Sequence, residues 1–150
     1  MVQKATRGFS LVELMIVMAI MAILAAIAIP SYQRYVLRTH RTDAMSALQG
    51  LAQAMERHYV QRTPLSSYEG AAVGGADTGA PSIYSSVSPI DGGAARYDLR
   101  ITAANATSYT LQAEPRGAQA GDGKLRLTST GVRSWDRNDD DTFSARWSDN

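Results

Sequence analysis

The apolar run from Phe9 to Ile29 constrains this chain most, because it holds about 21 residues and a single ionisable one, Glu13. As a helix it would extend roughly 32 Å, enough to cross the hydrocarbon core of a bilayer. A carboxylate at the centre of such a span costs about 2.5–3.5 kcal/mol or more. Glu13 sits near one end, where the cost is lower, but it still asks for a partner. Either the run is an anchor whose Glu13 reaches the interface, or the carboxylate awaits a positive group that another molecule supplies. The upstream segment, Met1 to Gly8, is short and polar, with Lys4 and Arg7 as its charges. A secretory signal places its small-residue cleavage site after the apolar region. Ala25, Ala26 and Ala28 are small, but no polar mature start follows them, and Gly8 lies before the run.

The segment Lys4-Ala-Thr-Arg7-Gly8-Phe9-Ser10-Leu11-Val12-Glu13 resembles the leader and cleavage box of type IV prepilins. The resemblance implies a prepilin peptidase that cuts between Gly8 and Phe9 and N-methylates Phe9. Glu13 then becomes the fifth mature residue. Cleavage frees an α-amino group about four residues before Glu13. In a fibre of many such helices the ammonium of one subunit would pair with the carboxylate of its neighbour, since a buried carboxylate is tolerable when paired and hydrogen-bonded. The expected partners are other pilin subunits, the peptidase, an inner-membrane assembly platform and, before assembly, membrane lipid. The expected location is the inner membrane with the head in the periplasm, then an extracellular filament.

At 150 residues, about eight of them leader (1–8), the chain has room for one long helix and one globular head. The net charge of +1 falls to about −1 when Lys4 and Arg7 leave, the new amine aside, so charge makes no case for nucleic acid as an obligatory partner. There is no cysteine, so an exported head must be held by its core and sheet.

Pro30 removes one helical hydrogen bond and predicts a kink near residues 26–30. Beyond it, Tyr32, Tyr35, Val36 and Thr39, then Ala44, Met45, Leu48, Leu51, Ala52, Met55 and Tyr59, keep helical spacing. The spacing predicts one helix over 9–61, with a membrane or fibre-core half (9–30) and a head-packing half (31–61). Gly50 is a weak point within it, at about 1 kcal/mol. Arg34, Arg38, His40 and Arg41 read as a solvated collar at the lipid headgroups or as contacts to acidic groups of neighbouring subunits. His40 and His58 are too far apart to share a face as metal ligands, and neither has a carboxylate at suitable spacing.

The head spans 62–150. Residues 62–95 are rich in Gly, Ser, Ala, Pro and Thr and read as a long loop, with Ile83, Tyr84 and Val87 as its only core anchors. A sheet over 96–135 follows. Alternation puts Tyr97, Leu99, Ile101, Tyr109, Leu111, Leu125 and Leu127 on one face, as in an antiparallel meander with one wet side. Laid on the helix stripe, it gives an α+β pilin fold: a long N-terminal amphipathic and transmembrane helix packed on an antiparallel β-sheet. The pattern over 97–147, closed by Trp147, also resembles the heads of minor pilins, including those that receive DNA. Many such heads close the C-terminal loop with a disulfide; here Arg146 precedes Trp147 and no cysteine exists. The loop 136–150 instead offers Asp136, Asn138 and Asp140, the opening spacing of a calcium loop. Asp141 stands where its glycine would be, and Trp147 where its glutamate would be. The loop reads either as an acidic surface turn or as a calcium site, and no cofactor other than calcium is in view.

No nucleophile has a base held by a third group, and no phosphate-cradling glycine loop occurs, so the chain reads as a structural subunit and not an enzyme. Three functions stay open. One is a type IV pilus subunit, minor rather than major, serving adhesion, motility or DNA uptake. Another is a pseudopilin of a type II secretion system. The third is a pilus-associated DNA receptor working through Arg96, Arg100, Arg116, Lys124, Arg126 and Arg133. From Arg62 onward the head has nine basic and eleven acidic residues, so any DNA-binding surface must be local.

Overall fold

The computed structural model describes residues 9–62, 64 and 66–149. The expected leader with Gly8 lies outside the described residues, as do Thr63, Leu65 and Asn150. Helix α1 runs from Leu11 to Gln61. It continues through Pro30 without a break, so the lost hydrogen bond does not end it. Its residues fall in two compact units, one ending at Val36 and the other running from Leu37 to Asn150. In the first, an 18-residue window has a mean hydropathy of 2.8 and no buried residue. Phe9, Leu11, Ile16, Met18, Ile23 and Ile27 are all exposed. So large an apolar surface requires lipid or a neighbouring helix against it.

In the second unit the expected stripe faces inward: Ala44, Met45, Leu48, Leu51 and Met55 are buried, with Ala52 and Tyr59 packed at the margin. Their partner is a six-stranded antiparallel sheet in sequential order: β1 (Val87–Ser88), β2 (Tyr97–Ala104), β3 (Tyr109–Pro115), β4 (Leu125–Thr128), β5 (Arg133–Trp135) and β6 (Ala145–Arg146). All seven residues expected on the inner face are buried, joined by Ala113 and Trp135. The meander forms because each long strand alternates, with short turns between β2 and β3 and between β4 and β5 and longer loops elsewhere. Asn105, for example, accepts the Thr107 and Ser108 amide hydrogens on its side-chain oxygen.

The segment 62–95 departs from expectation in two ways. Its buried anchors are Tyr68, Ala71 and Ala72, while Ile83 and Tyr84 are only partly buried. It also runs along the free side of β2: Gly79 and Ile101 exchange two backbone hydrogen bonds of 2.8 Å, Leu99 N–H donates to Ser86 O, and β1 pairs with Tyr97 and Asp98. That covers an edge that would otherwise be open to pairing. Gly50 finds its reason here too, because the Tyr84 ring and hydroxyl lie where any Cβ would stand. Its lack of a side chain is a packing requirement rather than a weakness.

Candidate functional site

At the start of α1, Ser10 is the N-cap and Glu13 the third helical residue. Ser10 Oγ accepts from Val12 N–H at 3.3 Å, and Glu13 Oε2 accepts from Ser10 N–H at 2.9 Å. This is a reciprocal capping box, which satisfies two amides that a helix start leaves open. Glu13 therefore accepts a backbone hydrogen bond within its own chain, while the positive group expected from a neighbouring subunit would come from outside a single chain. The Ser-x-x-Glu spacing was visible in the sequence. Phe9 is exposed. Farther along, Arg34 Nε donates to the carbonyl of Pro30 at 3.4 Å.

The basic cluster at the helix midpoint does not act as one collar. Arg41 is buried, and its guanidinium makes a two-pronged ion pair with Asp122, with side-chain exposures of 8 and 7%. Arg41 Nε donates to Asp122 Oδ2 at 2.9 Å, and the second bond joins the guanidinium to Oδ1. The same carboxylate accepts from Tyr97 Oη at 2.6 Å and Gln119 Nε2 at 2.7 Å. Trp135 stacks beneath Arg41 with the guanidinium carbon 3.9 Å from the ring centroid, and its indole N–H donates to Asp122 O. Burial and then the Asp122 carboxylate push the Tyr97 phenol well above its usual range. His40 does have a carboxylate neighbour, contrary to expectation: Nδ1 lies 3.8 Å from Asp43. His58 Nε2 instead contacts the Glu69 carbonyl at 2.8 Å.

The arginines and lysine singled out in the head separate by face and by partner. Strand register sets Arg100, Gln112, Arg126, Ser134 and Arg146 in one row across β2 to β6, on the side away from α1. At about 4.8 Å per strand, Arg100 to Arg126 and Arg126 to Arg146 are each about 10 Å apart along it. Arg133 is on the opposite side, where it lines a cleft with Gln49, Gln53 and Tyr109. Three of the expected cations are already matched: Arg100 with Glu114 at 2.9 Å, Arg116 with Asp98 at 2.8 Å, and Lys124 with Asp141. The hydrogen bond that Lys124 Nζ donates to Asp141 Oδ1 holds its ammonium above the usual range. Among the described residues, Arg96, Arg126 and Arg133 have no such partner. Neither do Arg137 and Arg146, which sequence reasoning missed. Arg126 lies 3.4 Å over the Phe143 ring, Arg133 5.6 Å from Trp147 and Arg137 5.6 Å from Trp135. Aromatic residues at 135, 143 and 147 amid arginines were the overlooked signal.

The turn carrying Asp136, Asn138 and Asp140 closes on itself. Asp136 is fully buried, and its two carboxylate oxygens accept from Asp140 N–H at 3.1 Å and Asp141 N–H at 2.8 Å. Asp140 in turn accepts from Thr142 N–H, which holds its carboxyl below the usual range. Asp141, at the glycine position of a calcium loop, does adopt a left-handed φ of 63°. The cation this turn faces, however, is Lys124. Among the described residues no group of three His, Cys, Asp or Glu side chains is placed to hold a metal ion. Gly123 lets the turn close, since a Cβ there would collide with the Asp136 carbonyl.

Comparison with protein-family models gives two matches. Residues 30–126 match the family described as "Type IV minor pilin ComP, DNA uptake sequence receptor". Residues 3–29 match the "Prokaryotic N-terminal methylation motif", a span that includes Gly8, Phe9 and Glu13. A comparison with curated proteins finds no match.

Proposed function

The chain belongs to the type IV minor pilin ComP family of DNA uptake sequence receptors, and from that premise we propose that its head binds double-stranded DNA during uptake. It is a type IV minor pilin, anchored by the apolar part of α1 and incorporated into a pilus. Pilin families are structural rather than enzymatic. In our reading a prepilin peptidase cuts between Gly8 and Phe9 and methylates Phe9. The head is then periplasmic until the assembly platform adds the subunit to a filament of other pilins.

One observation carries the DNA assignment to this head. Arg126 and Arg146 stand in one row on the sheet face away from α1, with Arg137 in the turn before β6, and none of the three has a carboxylate partner among the described residues, whereas Arg133 lies on the other side. The head is acidic by count, so these unmatched arginines, rather than a net positive patch, are what a phosphate backbone would meet. Stacking on Phe143 fixes the Arg126 plane while leaving in-plane N–H groups for phosphate or a base edge. Arg100 and Lys124 can join by exchanging their carboxylates for phosphates.

The test is binding of full-length protein in detergent to a labelled DNA duplex across a salt series. Three phosphate contacts, from Arg126, Arg137 and Arg146, predict a log–log slope of about −2.7, and alanine at Arg126 or Arg146 should lower its magnitude by about 0.9 each. No binding at low salt would refute the assignment. In cells, deletion should abolish transformation; loss of protein secretion instead would favour the type II secretion reading.

A further inference from the structure

The segment 136–143 contacts two cations of the proposed DNA surface. Its base is fixed, because the buried Asp136 carboxylate holds the amides of Asp140 and Asp141. From that base Asp141 reaches Lys124 and Phe143 covers Arg126. Asp141 is 75% exposed at its side chain, whereas Lys124 is 26% exposed. The acid therefore sits on the solvent side of the lysine, where an incoming phosphate would approach. Asp139 and Asp141 both adopt left-handed φ, 55° and 63°, and both are exposed. An exposed ion pair of this kind contributes little to stability, roughly 0–1 kcal/mol, so the fold gains little by keeping it.

We infer that Asp141 is a built-in competitor for nucleic-acid phosphate at Lys124: DNA must displace the carboxylate before it gains that contact. The inference rests on the DNA-binding reading above and adds its regulation. The exchange swaps one anion for another at the same ammonium, so it weakens non-specific binding without removing the site. A duplex that engages several of the other arginines at once supplies enough local phosphate to complete it.

Asp141→Asn separates the idea from its rivals, because asparagine tolerates the left-handed backbone and removes only the charge. Full-length protein in detergent is titrated with a labelled DNA duplex from 50 to 200 mM salt. The variant should bind more tightly, with a slope steeper by about 0.9, so that its advantage over the parent shrinks about 3.5-fold across that range. In a Lys124→Ala background the same substitution should change neither affinity nor slope. Asp91→Asn, an equal change in net charge at an exposed loop residue, should leave the slope unaltered. An unchanged slope in Asp141→Asn, or an equal gain in Asp91→Asn or in the Lys124→Ala background, overturns the inference and leaves DNA binding standing. Absence of duplex binding by every form overturns both.

Discussion

Replacing Asp122 with alanine is expected to destabilise the head more than any other single surface-to-core change at this end of the molecule. The carboxylate accepts from Arg41, Tyr97 and Gln119, and both charged side chains are more than nine-tenths buried. Removing it leaves a buried guanidinium without its counter-ion, a defect worth about 3–5 kcal/mol. For a unit of about 114 residues, Leu37 to Asn150, the unfolding entropy is about 240 cal/mol/K, which turns that loss into a fall in Tm of about 12–21 °C. Circular dichroism melts of the full-length protein in detergent measure it. The Arg41→Ala/Asp122→Ala double variant should lose less than the two single losses combined, because neither charge is then buried alone. A drop of less than about 4 °C for Asp122→Ala, near 1 kcal/mol by the same conversion, would refute the view that this pair closes the head.

Glu13→Gln should retain the capping box, which glutamine also completes, while removing the charge; pilus incorporation should fail although membrane insertion persists. Normal incorporation, scored by immunoblot of sheared pili, would assign Glu13 to capping alone. Alkaline pH should unfold the head through its tyrosines. Burial, then the Glu56 carboxylate that accepts from its hydroxyl, pushes Tyr68 up from 10.0 to about 12. Tyr109, bonded to the same carboxylate, moves in the same direction for the same reasons. Because the unfolded phenol ionises first, the stability Tyr68 contributes is fully present below pH 10.0 and is lost as pH rises through about 12. Melts across that window should show the fall, and Tyr68→Phe should reduce its steepness.

Period and alternation made the large elements legible. The stripe from Ala44 to Met55 and the inner-face residues from Tyr97 to Leu127 are where the pattern puts them, because burial selects one face of each element. The two-residue strands β1 and β6 carry too little pattern to read. Arg41 was hidden for another reason: its partner lies 81 residues away in a loop, and nothing local distinguishes it from Arg34 or Arg38. The cations of the candidate site were visible as residues but not as a surface. Which of them are matched depends on strand register, which sets Arg100 diagonally across from Glu114 and places Arg146 on the edge strand opposite Ser134, with no ion-pair partner among the described residues. Tyr68 anchors the long segment through a ring contact with Tyr109 at 4.8 Å, another long-range pairing that composition does not announce.

The lock formed by Arg41, Asp122, Tyr97 and Trp135 contains no sulfur, and neither does any cross-link elsewhere in the head. No reductant can open it, and no thiol oxidase is needed to set it. The fold of this head is therefore finished in the same way with or without oxygen.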